Sequence, residues 1–162
     1  MLKLRHLLIF TTLAIASPQG FALAEGLAFG TSRETSDLPV QVEANELSVN
    51  QKDGTATFTG DVQISQGEML LSAPNVHVIY AEDSKKIVRL QASGGVTLAN
   101  GQDAAEAKNA DYNIDAGTVL LTGNVLVTQG QNVISGDRVT INLDGGTAQI
   151  GGRVRTTLET KE

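Results

Sequence analysis

From Val40 onward, apolar and polar residues alternate with period two, and glycine-marked turns interrupt the alternation at regular intervals. Ala56, Phe58, Val62 and Ile64 share one parity with Gly60, as Leu90, Ala92, Val96 and Leu98 do with Gly94. Val119, Leu121, Val125 and Val127 follow Gly123 in the same way, and Ala148, Ile150, Val154 and Leu158 follow Gly152. The opposite parity carries Thr57, Thr59, Asp61, Gln63, Arg89, Gln91, Thr122, Asn124, Arg153 and Arg155. Successive side chains of a strand point to opposite faces, so this pattern predicts half-buried strands with one apolar face each. No stretch fits a helix of any length.

The alternating runs repeat. TFTGDVQISQG (57–67), QASGGVTLANG (91–101) and LLTGNVLVTQG (120–130) share a Gly-x-Val core, and IGGRV (150–154) begins a fourth copy. The anchor glycines Gly60, Gly94, Gly123 and Gly152 are 34, 29 and 29 residues apart. A second set of small residues, Ala44, Ala73, Ala107 and Gly136, precedes them at spacings of 29, 34 and 29. The underlying period is 29, with a five-residue insertion around 81–86 in one copy. A fixed period of this size is the mark of a stacked or rolled repeat architecture. Leu47 and Val49 lie at the same offsets from Ala44 as the apolar residues after Ala73, Ala107 and Gly136, and so are expected on the inner face.

Asp53-Gly54, Asn100-Gly101, Ala116-Gly117 and Gly145-Gly146 separate the runs as hairpin signals. Pro74 interrupts a run, which suits a bend or an edge. The prediction is an all-β, antiparallel meander whose apolar face another sheet must cover: a sandwich, a jellyroll or a slightly open barrel. The anchor glycines point inward by parity. A bulge that bends a long strand around the core is the main expectation, with room for a ligand as the alternative.

Before Val40 the chain reads differently. Lys3 and Arg5 precede an apolar run over 7–16, and Ala22-Leu23-Ala24 has the small-x-small form of a cleavage site. Residues 1–24 are therefore expected to be a cleavable signal peptide, the run being too short to span a bilayer. A polar, flexible leader is expected over 25–38, a single β domain over 39–158 and a short tail over 159–162. With 1–24 removed, ten basic residues face eighteen acidic ones, a net charge of −8. That balance argues against a nucleic-acid partner.

Composition narrows the chemistry. The 162 residues include no cysteine, which removes thiol catalysis, disulfides and cysteine-based metal sites. His6 and His77 are the two histidines, and His77 lies on a polar parity with no second histidine to complete a triad or a metal site. Asp111-Tyr112-Asn113-Ile114-Asp115 fails as a calcium loop, with Ala116 where glycine is required and Thr122 where the bidentate glutamate should stand. Lys85 and Lys86, beside Glu82 and Asp83, read as a solvated hairpin tip. There is no nucleophile elbow and no phosphate loop. No catalytic residue, metal or cofactor is expected.

LPVQVEANELSV (38–49), TATFTGDVQISQG (55–67) and TGNVLVTQG (122–130) resemble the OstA-like family over about residues 38–158. The repeated Gly-[Asn/Asp]-Val with a downstream Gln-Gly carries the resemblance. The copy at Gly94-Gly95 departs from it, with Gly95 at the Asn/Asp position and Asn100 in place of Gln. The resemblance implies a β-jellyroll whose apolar interior receives the acyl chains of lipopolysaccharide in the periplasm. Phe58, Val62, Ile64, Leu90, Val96, Leu98, Leu121 and Val125 would line that interior. It also implies head-to-tail strand pairing between modules through edge residues such as Val40, Val42, Ile150 and Val154. An inner-membrane bitopic partner would meet the N-terminal edge and an outer-membrane translocon the C-terminal edge. Two other readings stay open at this point: a polymerising scaffold with a merely packed core, and a carbohydrate-binding module. The absence of Trp weighs against the last.

Overall fold

The computed structural model describes residues 27–30, 38–83 and 86–157. The expected signal peptide over 1–24 and tail over 159–162 lie outside them, as does Lys85 of the inserted hairpin. The described residues form eleven strands in a single antiparallel sheet. Seven of them run as a meander: β4 (Thr55–Gln66), β5 (Met69–Tyr80), β6 (Ile87–Asn100), β7 (Asp103–Asn113), β8 (Thr118–Gln129), β9 (Asn132–Asn142) and β10 (Thr147–Gly151). At one end β2 (Gln41–Glu43) and β3 (Glu46–Asn50) both pair with β4. At the other end β11 (Arg155–Thr157) pairs with β9, and β1 (Leu27–Ala28) pairs with the outer side of β10. The two ends of the sheet do not meet, so it stays unclosed.

Every long strand is interrupted at the same level. In the β4–β5 ladder Gly60 and Asp61 together oppose Pro74; in β6–β7, Gly94 and Gly95 oppose Lys108; in β8–β9, Gly123 and Asn124 oppose Asp137. Two residues against one is a bulge, and a bulge bends the strand. Its geometry explains the motif. Both residues take positive φ, Gly60 at +81° with Asp61 at +47° and Gly123 at +87° with Asn124 at +52°. Asp and Asn are the L-residues that tolerate this region best. At Gly95 φ is +104°, beyond their usual range, and the departing copy has glycine there.

A Cβ on these glycines would not enter the interior. It would lie 2.8 Å from the Asn45 side chain at Gly60, 2.7 Å from Pro74 at Gly94, 2.8 Å from Lys108 at Gly123 and 2.5 Å from Asp137 at Gly152. The glycines make way for a neighbouring strand's surface residue at the bend, not for a ligand. Pro74 belongs to this bend, not to an edge.

The line of bulges creases the sheet, and its two halves fold face to face. One half holds β3, β10 and the strand segments 55–59, 75–80, 87–93, 109–113, 118–122 and 138–142. The other holds β2, β11 and the remaining segments. Between them lies one apolar core that includes Val62, Ile64, Leu71, Val78, Leu90, Leu98, Tyr112, Leu121 and Ile141. This is an unclosed antiparallel jellyroll with no helix among the described residues.

Three expectations need correction. The leader drawn over 25–38 includes Leu27–Ala28, which form a strand, and Phe29, which is fully buried. Local polarity hid that short apolar triplet. Leu47 and Val49 face inward opposite Phe58 and Ala56, yet they are 54% and 60% exposed, because among the described residues no strand lies beyond β3 to cover them. The C-terminal edge expected to pair with a partner module is not wholly open: β1 covers β10 at Thr147 and Ala148.

Candidate functional site

The candidate site is the inner face of the folded sheet. Of the eight residues expected to line it, Val62, Ile64, Leu90, Val96, Leu98, Leu121 and Val125 are buried, and Phe58 is half-buried beside Leu47. Parity places them all on one surface, because cross-strand partners share a face: Ile64 opposes Leu71, Leu71 opposes Leu98, and Leu98 opposes Ala105. The interior is filled by the chain's own side chains along most of its length. It reaches water at the N-terminal edge, where Leu47, Val49 and Phe58 continue the core surface outward. Beside them a cleft of about 680 Å³ opens between the β3–β4 and β5–β6 hairpins, lined by Val49, Gly54, Thr55, Tyr80 and Ala81.

Polar groups interrupt the interior along the seam opposite the crease. Gln66 and Asn100 are the two buried polar residues among those described, and both stand where the repeat has Gln-Gly or Asn-Gly. The Tyr112 hydroxyl donates to Gln66 Oε1 across the two halves, and Gln66 Nε2 donates to the Leu38 carbonyl at 2.8 Å. Burial, with the nearby charge of Asp144, pushes the Tyr112 phenol up to about 12, so it remains a donor. Gln129 Nε2 donates to the Ala28 carbonyl and, at 3.1 Å, to Asp103 Oδ2. The Gly30 N–H donates to the same Asp103 oxygen at 2.7 Å. Reading the sequence missed Phe29 and this amide row. The Leu27-x-Phe29 spacing and the threefold Gln/Asn before glycine were the available signals.

The expected edge residues are divided. Val42 lies on β2, the outermost strand of its half, with Val40 just before it; both are half-buried against the core. Ile150 is half-buried on β10, and Val154 is 48% exposed between β10 and β11. The N-terminal edge has no strand beyond it among the described residues, whereas β1 covers part of the C-terminal edge.

Outside the interior the polar groups make ordinary surface contacts. Arg89 clamps Asp111 on the outer face with bonds of 2.6 and 2.8 Å. Partial burial would raise the Asp111 carboxyl, but hydrogen bonds from Arg89 and Gln91 and the guanidinium charge outweigh it and hold the group below its usual range. His77 shares a 3.2 Å contact with Thr57. No cluster of three metal-ligating side chains occurs among the described residues, and no helix there is long and apolar enough to cross a membrane.

A family described as "LptA/(LptD N-terminal domain) LPS transport protein" matches residues 41–147. An uncharacterized protein of Rhizobium meliloti (strain 1021) is 31% identical over 96 residues, covering 55% of this chain and 52% of that protein. The matched region thus spans about half the length of this curated relative. The fold is similar to that of LptH, the LptA-homologous periplasmic component of the lipopolysaccharide transport device of Pseudomonas aeruginosa, with a TM-score of 0.71 at 16% identity. That similarity covers 79% of this chain and 100% of LptH.

Proposed function

This chain belongs to the LptA/(LptD N-terminal domain) family of LPS transport proteins, and from that premise we propose that it shields the acyl chains of lipopolysaccharide and bridges transport complexes by head-to-tail strand pairing. Its work is transport, not catalysis. We place that work in the periplasm, reached by way of the signal-like residues 1–24, with the β domain over 39–158 as the working unit.

One observation carries the lipid reading. The apolar inner face reaches water at the N-terminal edge, where Leu47 is 54% and Val49 60% exposed in register with Phe58 and Ala56. Exposing a methylene to water costs about 0.8 kcal/mol, so a twelve-carbon chain costs on the order of 10 kcal/mol. A surface patch does not offset that for several chains at once; a continuous interior does. Phe58, Val62, Ile64, Leu90, Val96, Leu98, Leu121 and Val125 are the proposed lining. A photo-crosslinking residue at position 58 or 125 is expected to capture lipopolysaccharide. If folded protein captures none at either position, the lipid reading fails and the cargo-free scaffold takes its place.

The ends of the sheet support the bridge. At the N-terminal end the two halves finish in strands of five and three residues, β3 and β2; at the C-terminal end they finish in five and three, β10 and β11. The crease alternates small residue and glycine from Ala44 to Gly152, beginning with the first kind and ending with the second. A second module whose Ala44 strands follow Gly152 continues that alternation. Because the two surfaces differ, the contact is heterologous and propagates. Val40 and Val42 are assigned to the N-terminal contact, facing the inner-membrane partner in the first module. Ile150 and Val154 are assigned to the C-terminal contact, facing the outer-membrane translocon in the last.

A further inference from the structure

We propose that β1 is an interlock: it plugs the lipid groove with Phe29 and caps the edge strand that the next module needs, so docking and loading both require its release. The proposal rests on the lipid-bridge reading above. Leu27 and Ala28 pair with Ala148 and Thr147, and the Phe29 N–H donates to the Gly146 carbonyl at 2.8 Å. They lie antiparallel on the outer side of β10, the place that the β3 of a following module would take. From there the chain crosses the seam, and Phe29 drops into the core with no exposure at all.

The seat fits this segment. Gln129 holds the Ala28 carbonyl, Asp103 holds the Gly30 N–H, and the buried Asn100 side chain lies directly under Gly30. A Cβ on Gly30 would come within 2.2 Å of Asn100 Nδ2. The one repeat copy with Asn in place of Gln is thus the copy over which the segment passes, and the shorter amide leaves it room. The polar contacts reach only backbone groups of the segment, and the ladder is two residues long. Such a strand is held by the Phe29 side chain, the half-buried Leu27 and a few exchangeable bonds. An acyl chain replaces the apolar side chains, and an incoming edge strand replaces the bonds. Binding to a minor open state lowers apparent affinity by the fraction open, and whatever removes the plug restores it.

A reversible lock tests this. The chain has no cysteine, and Ala28 and Thr147 are direct cross-strand partners. They flank the bonded Phe29–Gly146 pair, so they occupy the narrow type of antiparallel site that a disulfide spans. Protein expressed from the full chain with Ala28→Cys and Thr147→Cys would be compared oxidised and reduced, with circular dichroism confirming an intact β spectrum. The readouts are capture of fluorescently labelled lipopolysaccharide and self-association by sedimentation. The oxidised form is expected to lose about tenfold or more in apparent affinity and to stay monomeric, with both recovered on reduction. Phe29→Ala, in the same assays without a lock, is expected to capture lipid more tightly than the parent. An oxidised protein that captures lipid or associates as well as the reduced one overturns the interlock alone, as does Phe29→Ala with unchanged capture. If the parent and reduced proteins capture no lipopolysaccharide, or never associate, the corresponding part of the bridge reading falls and the interlock with it.

Discussion

Gly123 and Asn124 show how much one residue decides at the crease. Alanine at Gly123 would have to hold φ near +87° with its Cβ 2.8 Å from the Lys108 Cβ. Gly123→Ala is expected to destabilise the fold by roughly 1–3 kcal/mol, read as a lower urea midpoint at unchanged slope. Asn124→Gly keeps the backbone conformation and is expected to stay within about 0.5 kcal/mol of the parent. Tyr112 offers a pH test. Its phenol is pushed up from the ordinary 10 to about 12, so the folded state holds the proton more tightly than the unfolded chain does. That contribution, on the order of 2–3 kcal/mol, is fully present below about pH 10 and disappears as pH rises to about 12. Alkaline unfolding followed by circular dichroism should show this loss, and Tyr112→Phe should remove it. The same substitution removes the hydrogen bond that Tyr112 donates to Gln66 Oε1, at a cost of about 0.5–1.5 kcal/mol near neutral pH.

At the level of strands, the edges govern association. The Asn45 N–H donates to the Gly60 carbonyl, and alternation along β3 then aims the Ser48 N–H away from β4. Likewise, the Phe29 N–H on Gly146 implies that the Ile150 N–H points outward from β9. Proline at either position removes an edge donor and leaves the internal ladder intact. Ser48→Pro and Ile150→Pro are each expected to abolish self-association and leave a monomer, with the β spectrum retained. Removing 147–162 is a poorer probe, because Ala148 belongs to the core and β10 seats β1.

For the whole molecule, a heterologous contact has a distinct solution signature. Sedimentation of the parent should show species growing with concentration and no plateau at a dimer. An equimolar mixture of Ser48→Pro and Ile150→Pro should stop at a heterodimer, since each keeps the edge the other lacks. A symmetric dimer unaffected by both substitutions would refute head-to-tail pairing.

Much of the architecture is written locally. Period-two alternation determines strands, and it determined the parity of all eight proposed lining residues, because a strand's side chains alternate whatever lies beyond it. Glycine followed by Asp, Asn or Gly marked each bulge, because few residues accept two successive positive φ angles. Local pattern does not say what lies opposite. Leu47 and Val49 carry the inner parity and are exposed because, among the described residues, the sheet ends at β3. The triplet at Leu27–Phe29 sits in a polar stretch, and only the fold brings it against β10, more than a hundred residues away. Gln66, Asn100 and Gln129 read as hairpin residues until the crease turns them toward the seam. The burial of Phe29, Gln66 and Asn100 and the seam position of the half-buried Gln129 depend on contacts distant in the chain, and tertiary structure alone supplies them.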